Sequence, residues 1–185
     1  MEAFLVSTGL VALAEMGDKT QLLALVLAAR FRKPWPIVAG IFVATVVNHT
    51  IAGAAGAWLT TVLGPQLLRW ILAASFIAMA VWILVPDKVD DDEAERAPRF
   101  GVFGTTVLTF FLAEMGDKTQ VATVMLAARY AQWWLVVAGT TTGMLIADVP
   151  AVWLGDRVTR LVSIRGVHII SALVFVALGV AALLL

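Results

Sequence analysis

The sequence predicts an all-α integral membrane protein with six transmembrane helices, arranged as two inverted three-helix repeats. Three observations predict this. The chain is 61% apolar and 14% charged, against about 45–50% and 25% in ordinary soluble domains, and its mean hydropathy is +0.94. Six apolar stretches are each long enough to span a bilayer, and a nine-residue acidic segment occurs twice without change.

Crossing the hydrocarbon core takes about 20 apolar residues. The stretches run roughly Ala3–Ala29, Ile37–Leu63, Leu67–Val85, Phe103–Ala128, Leu135–Leu154 and Val167–Leu185. The first has no basic segment before it and reads as a retained span, not a cleaved signal. Pro34 and Pro36, then Gly64-Pro65, and later Arg157 to Arg165 punctuate the others. Residues 1–85 form the first repeat, 86–100 an acidic linker containing Asp90-Asp91-Asp92-Glu93, and 101–185 the second repeat. Seven tryptophans (35, 58, 70, 82, 133, 134 and 153) fall near span ends, where indole rings favour the interface.

Basic residues set the orientation. Arg30, Arg32, Lys33, Lys88, Arg96, Arg99, Arg157, Arg160 and Arg165 all fall in loops on one side, whereas the other has only Arg69 and Arg129. The richer side is cytoplasmic by the positive-inside rule. The linker is therefore cytoplasmic and both termini face outward.

Several classes are excluded. Zero net charge and scattered basic residues offer nothing to nucleic acid. Without cysteine there is no disulfide or thiolate metal site. The chain has no H-E-x-x-H, no paired membrane aspartate motifs and no Ser/His arrangement for a membrane enzyme. No prosthetic group is expected.

The repeat carries the chemistry. Leu13-Ala14-Glu15-Met16-Gly17-Asp18-Lys19-Thr20-Gln21 returns as Leu112-Ala113-Glu114-Met115-Gly116-Asp117-Lys118-Thr119-Gln120. The same offset relates Leu27-Ala28-Ala29-Arg30 to Leu126-Ala127-Ala128-Arg129, and Val38-Ala39-Gly40 to Val137-Ala138-Gly139. Three spans per unit is odd, so the second unit enters the membrane from the opposite side. Such inverted repeats place a transporter's site near the midplane.

Glu15 falls about 18 Å along span one at 1.5 Å per residue, and Glu114 at the matching depth in span four. An ionised side chain there costs at least about 2.5–3.5 kcal/mol and marks an ion path by default. At i and i+3, Glu15 and Asp18 are expected on one helix face, as are Glu114 and Asp117. Gly17 and Gly116 permit a kink that would free carbonyls. Thr20, Gln21, Thr119 and Gln120 add neutral oxygens, giving a set suited to hard cations such as Mn²⁺, Ca²⁺ or Mg²⁺. With Lys19 and Lys118 inside the site, four carboxylates keep two uncompensated charges, which one divalent ion or two protons neutralise. That competition is the physical basis of an antiporter. The alternative is that the acids only pair with Lys19 and Lys118 and pin the units together. Asn48, His49 and Asp148 are accessory or proton-relay candidates, with hydrogen-bonded structural roles as the alternative.

Twin E-x-G-D-[KR]-[TS] motifs in membrane spans, here Glu15 to Thr20 and Glu114 to Thr119, resemble those of uncharacterised protein family 0016, which includes transmembrane protein 165. The resemblance covers essentially the whole chain. It implies proton-coupled manganese and calcium transport in a prokaryotic inner membrane, with Glu15, Asp18, Glu114 and Asp117 as metal ligands assisted by Thr20 and Thr119. Manganese export from the cytoplasm is the expected activity. A lysine-exporter-type metabolite carrier and a passive divalent-cation channel are the alternatives within transport, and an assembly factor the one outside it.

Overall fold

The computed structural model describes residues 1–85, 100–154 and 164–184. All regular structure among them is helical: α1 (Glu2–Glu15), α2 (Lys19–Phe31), α3 (Pro34–Val62), α4 (Pro65–Trp82), α5 (Gly101–Glu114), α6 (Lys118–Arg129), α7 (Trp133–Leu154) and α8 (Ile164–Leu184). Proline opens α3 and α4, where its missing N–H costs nothing because the first turn has no carbonyl to bond. The acidic run Asp90–Glu93, together with Lys88, Arg96, Arg99, Arg157 and Arg160, lies outside the described residues.

Four helices, α3, α4, α7 and Arg165–Leu184 of α8, are individually long and apolar enough to cross a membrane, while α5 is a shorter apolar helix. Two of the six expected spans are therefore not single helices. Ala3–Ala29 is divided between α1 and α2, and Phe103–Ala128 between α5 and α6. The cause is local. Gly17 and Gly116 adopt φ of +85° and +77°, a region glycine enters freely and other residues avoid. The residues on either side, Met16 and Asp18 or Met115 and Asp117, are extended. This corrects the expectation that Glu15 and Asp18 share one helix face. Glu15 ends α1, and Asp18 caps the start of α2 across the break; Glu114 and Asp117 behave in the same way.

The two repeats are interwoven. The first helix of each packs on the third helix of the other, α1 on α7 and α5 on α3, while α4 lies on α8. Small residues let these backbones approach, as is usual where lipid supplies no hydrophobic drive between helices. A Cβ added at Gly139 would lie 2.5 Å from the Phe4 carbonyl oxygen and 2.9 Å from Ser7 Cβ. At Gly40 it would lie 3.1 Å from the Phe103 carbonyl oxygen and 2.7 Å from Thr106 Cβ. Phe4 and Phe103, like Ser7 and Thr106, are equivalent positions of the repeat.

Burial divides into two cores. One joins α1, α4, α6 and α8 through Leu10, Phe76, Met79, Leu126 and Phe175. The other joins α2, α3, α5 and α7 through Leu23, Leu27, Ile41, Phe110 and Val152. Six of the tryptophans, Trp35, Trp58, Trp70, Trp82, Trp134 and Trp153, are exposed at or near helix ends, and Trp35 meets Trp153 edge-on with ring centroids 5.3 Å apart.

Candidate metal site

Both helix breaks meet inside the bundle. One carboxylate oxygen from each of Glu15, Glu114 and Asp117 lies within 4.8 Å of the others, and all three residues are buried. Oxygen ligands of a hard cation sit roughly 2.0–2.6 Å from it, so they lie up to about 5 Å from one another. The trio fits that requirement. Asp18, also buried, is outside the trio and faces Lys118.

Each glutamate is held by its own motif. Thr20 Oγ1 donates to Glu15 Oε2 at 2.6 Å, and Thr119 Oγ1 donates to Glu114 Oε2 at 2.9 Å. The opposite oxygens, Glu15 Oε1 and Glu114 Oε1, have no hydrogen-bond partner among the described residues, nor does Asp117 Oδ2. Buried polar atoms in native proteins are normally satisfied. Three converging carboxylates that each keep an orphaned oxygen are what a site for a cation requires.

The lysines cross between motifs. Lys19 Nζ is 3.2 Å from Asp117 Oδ1, and Lys118 Nζ is 3.8 Å from Asp18 Oδ1. Lys118 also donates to the Val85 carbonyl at 3.2 Å. Both ammonium groups therefore turn into the site. Each pairs with an aspartate of the other motif. The helix ends add to the field, since α2 and α6 start at the site and present their partially positive N-termini to the acids.

The glutamines serve the backbone. Gln21 Oε1 accepts the Gly17 N–H at 3.0 Å and Gln120 Oε1 accepts the Gly116 N–H at 2.7 Å, satisfying donors that the breaks expose. Their amide groups reach into the other repeat. Gln21 Nε2 donates to the Ala147 carbonyl at 2.9 Å and Gln120 Nε2 to Asn48 Oδ1 at 3.2 Å, while Asn48 Nδ2 donates to the Phe111 carbonyl at 3.0 Å. Ala147 and Asn48 are equivalent positions. Asn48 thus has a structural bonding pattern, and one half supplies with a side chain what the other supplies with its backbone.

His49 and Asp148, also equivalent, are both wholly buried. Neither ring nitrogen and neither carboxylate oxygen has a hydrogen-bond partner among the described residues. Sequence reading passed over His168, whose Nε2 lies 3.1 Å from the Met16 carbonyl. The signal available was a histidine within the sixth apolar stretch.

A buried oxygen cluster of this kind, assembled from twin motifs in a helical bundle, defines a divalent-cation carrier. The chain belongs to the divalent cation/proton antiporter family GDT1, whose family model matches residues 3–91 and 102–185. It is similar to a Vibrio cholerae protein named "Putative manganese exporter", with 50% identity over 84% of this chain and 77% of that protein. It is also similar to a GDT1-like protein of Synechocystis, with 29% identity over 95% of this chain and 93% of that protein. No solved structure matches the chain.

Proposed function

We propose that this chain exports Mn²⁺ from a bacterial cytoplasm in exchange for protons, with Ca²⁺ as a poorer cargo. In this reading α1 with α2, and α5 with α6, each make one broken span. The protein then crosses the membrane six times as inverted repeats, with both termini outside and the 86–100 linker in the cytoplasm. Glu15, Glu114 and Asp117 bind the ion, Asp18 and the two lysines balance and close the site, and Thr20 and Thr119 orient the glutamates. Asp148 and His49 are the buried titratable groups available to carry protons nearby.

The observation that carries this proposal is the convergence of three carboxylates, from both repeats, within 4.8 Å. Pairing Lys19 with Asp117 and Lys118 with Asp18 leaves the two glutamates as the uncompensated charges. One dication or two protons satisfies them equally, and the two cannot be held together. The 50% identical Vibrio relative supports manganese as the cargo.

The test is flux in proteoliposomes carrying a pH-sensitive dye. Mn²⁺ added on one side is expected to move inward while protons move outward, and an imposed pH gradient is expected to drive Mn²⁺ uphill. Mn²⁺ entry that ignores the pH gradient would reject exchange and leave a channel. Thr119→Val gives a finer check, since it keeps the side-chain size and removes the donor to Glu114. Hydrogen bonds to charged groups contribute about 1.5–3 kcal/mol, so the half-saturating Mn²⁺ concentration is expected to rise roughly tenfold or more while the protein stays folded at the assay temperature. Unchanged saturation would show that the hydroxyl does not position Glu114.

A further inference from the structure

Many contacts around the site follow the repeat. Thr20–Glu15 matches Thr119–Glu114, Lys19–Asp117 matches Lys118–Asp18, and Gln21–Gly17 matches Gln120–Gly116. The α4–α8 pair breaks the pattern. It packs α8 against α1 and α4 against α6, and these four helices share one core. Two-fold equivalence would allow α4 to lie against α5 and α8 against α2 just as well, and neither is a packed interface among the described residues.

Burial records the same imbalance. Met125 on α6 is 4% exposed, while its equivalent on α2, Val26, is 40% exposed. Met115, at the break after α5, is 57% exposed, while its equivalent Met16 is half-buried, its carbonyl 3.1 Å from His168 of α8. Lys118 is 3% exposed beneath the Val85 end of α4, and Lys19 is 24% exposed. In each pair the member beside α4 or α8 is the less exposed of the two.

We propose that α4 and α8 move as one unit between two equivalent seats, one along α1 and α6 and the other along α5 and α2. Resting on the exchanger reading above, this gives the metal its two access routes. In the seat occupied here, the pair lies along α1 and α6 and leaves the α2–α5 side, where Met115 and Lys19 are accessible, as the less covered approach to the acids. With the orientation proposed above, that approach is cytoplasmic, as an exporter requires for loading. Moving the pair to the other seat covers Val26, Met115 and Lys19 and uncovers Met125, Met16 and Lys118. Helix pairs that rock about a fixed site are the usual means of alternating access in inverted-repeat carriers. The apolar faces of α2 and α5 are here assigned a specific occupant from the same chain.

The chain contains no cysteine, so introduced thiols report without background. Leu72 and Met125 share a core and line one cavity between α4 and α6, and their repeat equivalents are Ser171 and Val26. Leu72→Cys/Met125→Cys is expected to cross-link with a short bifunctional thiol reagent in resting vesicles. Val26→Cys/Ser171→Cys is expected to cross-link only with Mn²⁺ and an opposing proton gradient present. Either link should stop exchange, and cleaving a reducible linker should restore it. Full exchange with Leu72 and Met125 linked, or no Val26–Ser171 product during exchange, would overturn the proposal. A Val26–Ser171 product in vesicles showing no Mn²⁺/proton exchange would keep the two seats and reject the exchanger reading instead.

Discussion

Glu114→Gln is expected to reduce Mn²⁺/proton exchange to the level of protein-free vesicles while the protein still inserts and folds. The substitution is nearly isosteric, and Thr119 can donate to an amide oxygen as it does to Glu114 Oε2 now. What changes is the site. One of three converging carboxylates becomes neutral, and an amide N–H₂ competes for the position of an anionic oxygen. Removing even the outer partners of metal ligands costs about 10–100-fold in affinity or activity, so losing a direct ligand should exceed about 100-fold. Glu15→Gln should match it, because Thr20 holds Glu15 in the trio as Thr119 holds Glu114. Wild-type flux in either variant, at normal expression and melting temperature, would remove Glu15 and Glu114 from the ion's path.

The second large effect is expected from a single methyl group far from the acids. Gly139→Ala places its Cβ 2.5 Å from the Phe4 carbonyl oxygen and 3.2 Å from the Phe4 carbonyl carbon. Backbone atoms cannot rotate away as a flexible side chain would, so α1 must shift on α7. Overpacking of this kind costs about 1–3 kcal/mol, roughly 2–10 °C of melting temperature for a chain of this size. Flux should fall as well, because α1 carries Glu15 at its end. Gly9→Ala provides the contrast. It lies on α1 with nothing within 4 Å of the added atom, and alanine is the better helix former, so stability should hold or rise slightly. Equal melting temperatures for the two variants would contradict the close approach of α1 to α7.

Much of the site was legible in the sequence because the motif repeats. Nine identical residues at one spacing named the acids, the lysines and the threonines, and embedded charge called for a cation. The helix breaks were only half legible. Gly17 and Gly116 mark a place where the chain can bend, but helical periodicity runs through a single glycine, so the i, i+3 spacing alone puts Glu15 and Asp18 on one face. Positive φ at each glycine is held by a local bond that helical periodicity does not show, from the glycine N–H to the side chain of Gln21 or Gln120 four residues on. The crossing of Lys19 to Asp117 and of Lys118 to Asp18 was not legible, since a sequence does not say which of several acids a lysine meets across an interface. The seating of α4 and α8 was illegible for a deeper reason: equivalent sequences specify two equivalent seats, and only a structure can report which one is occupied.

The interweaving of the two repeats has a consequence for biosynthesis. α1 finds its main partner in α7 and α5 in α3, while α4 finds its partner in α8, so the first half of the chain leaves the ribosome with no packed core of its own. Until the second half is inserted, Glu15, Asp18 and Lys19 wait in the bilayer without the groups that will balance them. Maturation is therefore concerted and late, completing when the last helix arrives. A nascent chain halted after α4 should be an early target for membrane proteases.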